Sequence, residues 1–545
     1  MDRLSARDRD AFQIAAVIGQ RFDLGLLRHL IGAPDYTCAN LIANALAIPE
    51  GEDFLFAHAL IQEGAYSSLL RTRRRELHVR AAEWYNERDL TLCAQHFDRA
   101  DDERAPKAYL SAAAAQRSSY RIEAALRLAS RGTEIARNEA DRHALVCLKG
   151  ELQRDLGDIA SSVLSYREAT EAPPDDIARC RAQIGLAEGL RVSEGLNEAL
   201  HLLDQAQGTA EKRDLTAELA RIHHLRGNIY FPLGNIAGCQ DEHERGFAYA
   251  RRLNSPEAEA RALGGLADAA YAQGKMRSAF AHFSQCVSLS REHGFGKIEV
   301  ANRSMIGFSR IYLNEAQEGR EDGDAAARAA SLVGQPRAEL LGETMGVFAT
   351  YELGDFASME SYLTRTMNLA RQLGARRFEA QALEMKARSL LDNGQRKEAG
   401  EMLEEALAIC REVGTQFCGP KVASALARMV DDAKTRAAVL AEGQEMLSRG
   451  AVGHNHLWFY RDAIEALLSA GDGAGALRYL SALEDYTRAE PLPWSDLFAK
   501  RGRSLVRALQ GLDEAARTEL AAVRSSLELA GLRPFLPAVN AALAG

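Results

Sequence analysis

The sequence has few of the residues typical of sheet proteins and membrane proteins. Aromatic residues make up 7% of its 545 residues, and long valine, isoleucine and threonine runs are missing, which argues against a large β-sheet protein. Only 13 prolines occur, and alanine, leucine, arginine and glutamate recur throughout, a mixture that favours helices. No apolar run approaches the ~20 residues needed to span a bilayer. Charged residues follow Met1, so we also expect no signal peptide.

Paired cysteines and a strong positive charge are also absent. The eight cysteines are scattered without a CxxC pair, so the sequence predicts neither a zinc site nor a disulfide framework. This usage is typical of buried apolar cysteines in the reducing cytoplasm, where we expect the protein to act. The formal net charge of −9 argues against a general nucleic-acid or anionic-membrane binder.

Motifs for catalysis and cofactor binding are missing from the sequence. GxxxxGK[ST], which cradles nucleotide phosphates, does not occur, and neither does HExxH. The pairs His223-His224 and His454/His456 have spacings that point their side chains to different helix faces, unlike a pair of metal ligands. We therefore predict no metal, no cofactor and no enzymatic activity for this chain.

Turn-forming residues recur every 40 positions through most of the chain. Glycine and asparagine tolerate the left-handed conformation that ends a helix. Amphipathic patterns flank each of these turns, so the sequence predicts a repeated helix–turn–helix unit. Two further glycines continue the series upstream at steps of 38 and 39 residues. The full series is Gly157, Gly195, Gly234, Gly274, Asn314, Gly354, Gly394, and later Gly471 and Gly511.

After each turn, small and bulky residues follow at steps of four and three, as in Ala279, Phe283 and Cys286. These units resemble tetratricopeptide repeats (TPR), and the stretch 150–174 matches nearly the whole pattern. The period exceeds the usual ~34 residues, so we expect each helix to be about one turn longer. Gly319 and Gly323 replace packing residues, and residues 420–450 lie off the period. The resemblance implies an all-α, TPR-like superhelix (an α-solenoid) of about ten or eleven helix pairs over residues 86–545.

Residues 1–85 do not follow the 40-residue period. Capping residues and apolar spacing predict helices that end at Gly19 and Gly32, and a third helix through Leu41. The stretch Ile48–Phe56 predicts a β-hairpin with Gly51 in its turn. Three helices and a hairpin predict a small winged-helix-like domain, which a linker helix follows up to residue 85.

The runs Phe56–Leu70 and Arg73–His78 resemble a junction in bacterial predicted ATPases of the STAND class. In those proteins a nucleotide-binding domain leads through a winged helix into a TPR array, and many also carry a class III adenylate or guanylate cyclase domain. We expect this chain to lack both of those domains. His58 matches a histidine that senses the nucleotide's β-phosphate in relatives. Without a phosphate-binding loop in this chain, we expect a packing or hairpin-capping role for it.

The resemblance also implies a binding groove, because the first helix of each TPR pair lines the concave surface. An aromatic-rich groove of mixed polarity suits an extended peptide or a partner helix. The alternative is that the second series below belongs to the core between helices. The first series is Asn228, Asp268, Phe308, Phe348 and Arg388. The second is Phe231, Tyr271, Ile311, Tyr351 and Leu391, and Trp458 and Arg461 extend the surface towards the C-terminus.

The sequence thus predicts a non-catalytic protein-interaction or sensor module of a bacterial signal-transduction ATPase or cyclase system. We expect a protein or peptide partner, and the junction motif suggests a nucleotide-binding signalling protein. Two alternatives stay open: part of an ATP-dependent signalling enzyme, or part of a transcriptional regulator. An in-frame phosphate-binding loop in the DNA upstream of Met1 would favour the first alternative.

Overall fold

The computed structural model describes residues 4–193 and 195–544. Residues 1–3, 194 and 545 lie outside this description, including the first residues of the predicted domain 1–85 and the last residue of the predicted array. The chain forms two compact units. Unit 1 comprises Met1–Gln153 and Leu164–Ala178, and unit 2 comprises Arg154–Val163 and Arg179–Gly545. The predicted division at residue 85 remains a prediction.

Unit 1 opens with helices around a small antiparallel sheet of strand order β1-β3-β2. Ile48 pairs with Leu55, and Gly51 has φ 65°, so the predicted hairpin with Gly51 in its turn is confirmed. The edge strand β1 was not predicted, because three residues are too short to show a period of two. The elements are α1 (Ala6–Ile18), β1 (Arg21–Asp23), α2 (Leu24–Ile31), α3 (Ala39–Ala43), β2 (Ala47–Glu50), β3 (Asp53–Phe56), α4 (Ala59–Ser67) and α5 (Arg71–Tyr85).

Further helices complete unit 1, and the last two of them contribute residues to both units. They are α6 (Leu90–Arg99), α7 (Ala105–Ser118), α8 (Ile122–Ile135), α9 (Glu139–Asp155) and α10 (Ile159–Glu171).

Unit 2 is an all-α solenoid of TPR-like helix pairs. Its first elements are α11 (Asp176–Val192), α12 (Leu196–Lys212), α13 (Thr216–Tyr230), α14 (Ile236–Arg252), α15 (Pro256–Ala272), α16 (Met276–His293), α17 (Gly296–Ile311), α18 (Ala316–Leu332), α19 (Pro336–Leu353) and α20 (Phe356–Leu373). They continue with α21 (Arg376–Asp392), α22 (Arg396–Val413), α23 (Gly419–Ala427), α24 (Ala433–Ser448), α25 (Gly453–Ser469), α26 (Gly473–Thr487), α27 (Pro493–Gln510), α28 (Glu514–Leu529), a short 3₁₀ turn (Arg533–Phe535) and α29 (Leu536–Ala544).

A left-handed residue ends the helices of unit 2 at regular intervals, which confirms the predicted period. From 214 to 414 one such residue stands every 20 positions, so that both turns of each helix pair are marked. Gly195 is an exception, since its φ of −76° is not left-handed. Rather than ending a helix in a left-handed conformation, it is the N-cap residue of α12. The left-handed residues are Asp214, Gly234, Asn254, Gly274, Gly294, Asn314, Gly334, Gly354, Gly374, Gly394 and Gly414.

Close helix packing explains the small residues of the repeat. Ala279, Phe283 and Cys286 are all 0% exposed, as the spacing of four and three predicts. Gly319 and Gly323 are packing residues too, contrary to the expectation that they replace them. A Cβ at Gly319 would lie 2.9 Å from the Gly307 carbonyl oxygen, which is too close. These glycines therefore let α18 approach α17 and α19.

The period breaks after α22, where the sequence predicted an off-period stretch. Helix α23 has only 9 residues, about half the length of the helices before it. Among residues 4–193 and 195–544, no helix is long and apolar enough to cross a membrane.

Candidate functional site

The residues of the predicted groove fall into two groups by exposure. Asn228, Phe231 and Asp268 are half-buried and belong to α13 and α15 or their ends, and Leu391 of α21 is half-buried as well. The other eight are buried, from 8% exposed for Phe308 to 0% for Arg388 and Trp458. The expectation of an open groove is therefore wrong for those eight in this conformation. They are Tyr271, Phe308, Ile311, Phe348, Tyr351, Arg388, Trp458 and Arg461.

Helices α25 and α27 cover the inner helices at these buried positions. Trp458 of α25 packs edge-on against Phe348 with ring centroids 5.2 Å apart, and its Nε1 donates a hydrogen bond to the Tyr312 hydroxyl at 3.1 Å. Trp494 of α27 packs against the same Tyr312 at 5.6 Å. The aromatic series predicted as a binding surface thus forms a hydrophobic core inside unit 2.

Close backbone contacts fix the start of α25 against the repeats. A Cβ at Gly453 would lie 2.3 Å from the Gly274 backbone nitrogen, and one at Gly450 would lie 2.5 Å from the Gly234 carbonyl oxygen. Glycine is therefore required at both off-period positions because any side chain would collide with backbone. Gly450 and Gly453 are the sequence signal that could have indicated this packing.

The Arg461 guanidinium lies within a cage of aromatic rings in this core. Its carbon is 4.1 Å from the Trp458 ring centroid and 5.1 Å from that of Trp494. Its Nη1 donates to Glu352 Oε1 at 2.6 Å, and Trp494 Nε1 donates to the other Glu352 oxygen at 3.3 Å. The ion pair is 1% and 0% exposed, so it holds α25 and α27 against α19 without access to water.

A second buried charge cluster lies beside it. Arg388 pairs with Asp462 at 2.6 Å and with Glu384, and the Lys421 ammonium lies 3.3 Å from the other Glu384 oxygen. Lys421 also lies 4.4 Å from the Phe348 ring centroid. Burial lowers the pKa of Lys421, while the negative charge of Glu384 opposes that shift. Arg388 therefore serves the core rather than an exposed surface.

The N-terminal end of the inner face is polar and accessible. Glu188 and Arg191 of α11 lie 40 residues before Asn228 and Phe231, and both are half-buried like them. The predicted series therefore extends one repeat upstream, to residues that the sequence reasoning missed. We define the polar recess as Glu188, Arg191, Asn228 and Asp268.

Ion pairs and a hydrogen bond orient part of the recess. The Glu188 carboxylate accepts a hydrogen bond from Arg221 at 2.6 Å and forms an ion pair with Arg154 at 3.1 Å. Burial acts to raise the pKa of Glu188, but these two guanidinium groups hold it well below its usual range. The Asn228 amide lies 3.0 Å from the His224 Nε2 atom. The recess thus presents fixed charges and one amide rather than a hydrophobic lining.

The Asp268 carboxyl has an unusual environment in this recess. Burial raises the pKa of Asp268 to about 7, although the positive charges of Arg191 and Arg337 act in the opposite direction. Burial is also the largest influence on Arg191, whose pKa it lowers. Both side chains are half-buried on the inner helices of unit 2, Arg191 on α11 and Asp268 on α15.

In unit 1, His58 is exposed at the start of α4, and its side chain makes no capping hydrogen bond. The expected packing or capping role is therefore wrong. Two large apolar side chains of the segment 58–70 are exposed, Leu60 at 70% and Leu70 at 76%. Of the basic run that follows, Arg75 donates to the Ala100 carbonyl oxygen at 2.7 Å, so this arginine caps α6.

No protein-family model and no curated protein sequence matches this chain. Among solved structures it is similar to a STAND protein with a tetratricopeptide repeat sensor from Pyrococcus horikoshii, with a TM-score of 0.50 and 14% identity over 74% of this chain. The match spans 63% of that protein's length, and at this identity it concerns the fold alone.

Two further helical structures show weaker likeness. A Rap protein in complex with competence and sporulation factor has a TM-score of 0.47 at 13% identity, covering 63% of this chain and 97% of that one. The Cut9–Hcn1 structure has a TM-score of 0.46 at 13% identity, covering 89% and 93% respectively.

Proposed function

We propose that this chain is a non-catalytic protein-interaction or sensor module of a bacterial signal-transduction ATPase or cyclase system, acting in the cytoplasm. The observation that carries the proposal is the divided inner face of unit 2. Its aromatic end is filled by α25 and α27, whereas its polar end stays accessible. A peptide or protein partner binds at the accessible end, through Asn228, Phe231 and Asp268.

The buried members of the predicted groove have a different role in this proposal. Tyr271 links the two ends, since its ring lies 6.1 Å from that of Phe231 and 5.8 Å from that of His454 on α25. A partner that moves Phe231 therefore acts on the packing of α25 through one intervening ring. A conformational change at the accessible end of the inner face is thereby transmitted to the packed end through Tyr271.

A purified partner tests the site. Proteins captured from a native extract are identified, produced separately and titrated against the chain by calorimetry. The double variant Asn228→Ala/Phe231→Ala should weaken binding at least tenfold, about 1.4 kcal/mol. Leu529→Ala, at a side chain 92% exposed on α28, is the matched control and should leave the affinity unchanged. Equal affinity of the double variant and the control would place the partner elsewhere.

The nucleotide-binding signalling protein suggested by the junction motif has its own proposed surface, which comprises α4 and the residue before α5. Leu60 and Leu70 are large apolar side chains left exposed on the segment that carries the motif. Leu60→Asp should abolish binding of such a partner, and Leu332→Asp, 84% exposed on α18, is the control. A separate assay addresses the alternative of an ATP-dependent signalling enzyme. ATP turnover by the isolated chain above a heat-killed control would contradict the non-catalytic proposal.

A further inference from the structure

Two cysteine sulfur atoms lie side by side where the period of unit 2 breaks. Cys410 stands in the last turn of α22, and Cys418 is the N-cap residue of α23. Their Sγ atoms are 3.3 Å apart, and both residues are 1% exposed. Within the described part of the chain this is the only such contact between two cysteine sulfurs. A disulfide bond is about 2.0 Å long, so a small movement of the intervening loop would allow the two sulfurs to bond.

The loop between the two cysteines holds the start of α25. The Gln416 carbonyl oxygen accepts a hydrogen bond from the Val452 amide at 3.2 Å. The Phe417 carbonyl oxygen accepts one from the Asn455 side-chain amide at 2.8 Å, and the His454 Nε2 atom lies 2.8 Å from the same oxygen. Because all three contacts use backbone oxygens of this loop, the loop conformation decides how firmly α25 is docked.

The cysteine pair is buried, but it lies directly beneath the surface. Arg411 and Glu412 are exposed, and residues 413–416 are half-buried. A small neutral oxidant therefore reaches the sulfurs whenever this loop opens. The hydrogen bond with Cys410, together with burial, raises the pKa of Cys418. Cys418 thus keeps its proton, and Cys410 is the first of the two to form the nucleophilic thiolate.

We propose that Cys410 and Cys418 form a reversible redox site, in which hydrogen peroxide joins the two thiols as a disulfide and so locks α25 in place. The Cys410 thiolate attacks one peroxide oxygen, the O–O bond breaks, and the hydroxide leaves as water with the proton that Cys410 released. The Cys418 sulfur then attacks the sulfur of the Cys410 sulfenic acid, the S–O bond breaks, and a second water leaves with the Cys418 proton. Two thiols are oxidised to one disulfide, and one peroxide is reduced to two waters.

The disulfide acts by constraining the loop. A cross-link between residues eight positions apart removes conformations that the open and unfolded loop would otherwise adopt. The carbonyl oxygens of Gln416 and Phe417 then stay in position for their donors, so the start of α25 opens less often in the oxidised chain. This lock involves unit 2 alone and requires no partner at the accessible end of the inner face.

Mass spectrometry of the full-length chain tests the linkage. The reduced chain is treated with hydrogen peroxide, its remaining thiols are blocked with N-ethylmaleimide in urea, and the product is digested with trypsin. Trypsin cuts after Arg411, between the two cysteines, so the disulfide would join the peptides 398–411 and 412–421. We expect this joined pair to form while the other six cysteines are still recovered as blocked thiols, to form faster at pH 8 than at pH 6, and to separate on treatment with dithiothreitol.

Hydrogen exchange tests the lock. The Val452 amide should exchange at least tenfold more slowly in the oxidised chain than in the reduced one. Cys410→Ser and Cys418→Ser should each abolish the joined peptides and make this exchange insensitive to peroxide. Cys286→Ser is the matched control and should keep both effects, because Cys286 is also buried, at 0% exposed, but its Sγ donates to the Ala260 carbonyl oxygen at 3.0 Å.

Three results with the unaltered chain would overturn the proposal. The first is that peroxide produces no joined pair, and the second is that it joins other cysteines as readily as these two. The third is that the pair forms while the Val452 amide exchanges as before. None of these measurements uses a partner, so the binding test with Asn228→Ala/Phe231→Ala decides the proposed function separately.

Discussion

Replacing Arg461 by methionine would remove one half of an ion pair that lies wholly inside unit 2. The guanidinium is 1% exposed, and its partner Glu352 is 0% exposed. Methionine retains much of the side-chain volume among the rings of Trp458 and Trp494, so the main loss is electrostatic. Glu352 would keep only the 3.3 Å hydrogen bond from Trp494 Nε1. Breaking a buried pair in this way costs about 3–5 kcal/mol.

A second substitution separates this cause from simple loss of packing. In Arg461→Met/Glu352→Gln no charge is left unpaired, and the glutamine oxygen still accepts from Trp494. The NH2 group of the new glutamine has no hydrogen-bond acceptor in this core. We therefore expect the double variant to be destabilised by about 1–3 kcal/mol, less than the single variant.

Urea unfolding followed by tryptophan fluorescence measures these changes. Two of the three tryptophans, Trp458 and Trp494, lie against Arg461, so the signal reports directly on this core. A loss below about 1 kcal/mol for Arg461→Met would refute the reasoning, since it would mean that the Glu352 carboxylate reaches solvent easily. A double variant less stable than the single one would refute it too.

Two further predictions concern other parts of the chain. His78 and His96 of unit 1 are buried with their Nδ1 atoms 2.9 Å apart, and burial lowers their pKa values to about 3 and about 4. Because the same two histidines take up protons at higher pH in the unfolded chain, unit 1 should lose stability as the pH falls from ~6.5 towards 4. His96→Gln should flatten that slope in hydrogen exchange, and an unchanged slope would contradict the assignment. In unit 2, a Cβ at Gly346 would lie 2.2 Å from the Tyr362 ring, so Gly346→Ala should cost about 1–3 kcal/mol. The control Gly208→Ala meets nothing within 4 Å in α12 and should gain about 0.5–1 kcal/mol; equal urea midpoints for both variants would contradict the close approach.

The repeat was predictable because it rests on local chemistry. A left-handed residue such as Gly234 or Asn314 ends a helix whatever surrounds it, and apolar spacing fixes which face of each helix is buried. The hairpin at Gly51 was predictable for the same reason. Gly195 shows the limit, since its position fits the series although its backbone is not left-handed.

The sequence by itself therefore determined the helix pairs of unit 2, their period and the residues that face inward. It left open whether those residues meet solvent or other side chains. Phe308 and Asp268 occupy equivalent positions 40 residues apart, but only Phe308 is buried in the core. That difference depends on where α25 and α27, which follow the break in the period, pack against the inner helices. Their position is set by contacts between residues more than 100 positions apart, such as Trp458 with Tyr312. Contacts at that separation leave no periodic pattern in the chain, so only the tertiary structure decided which end of the inner face is accessible.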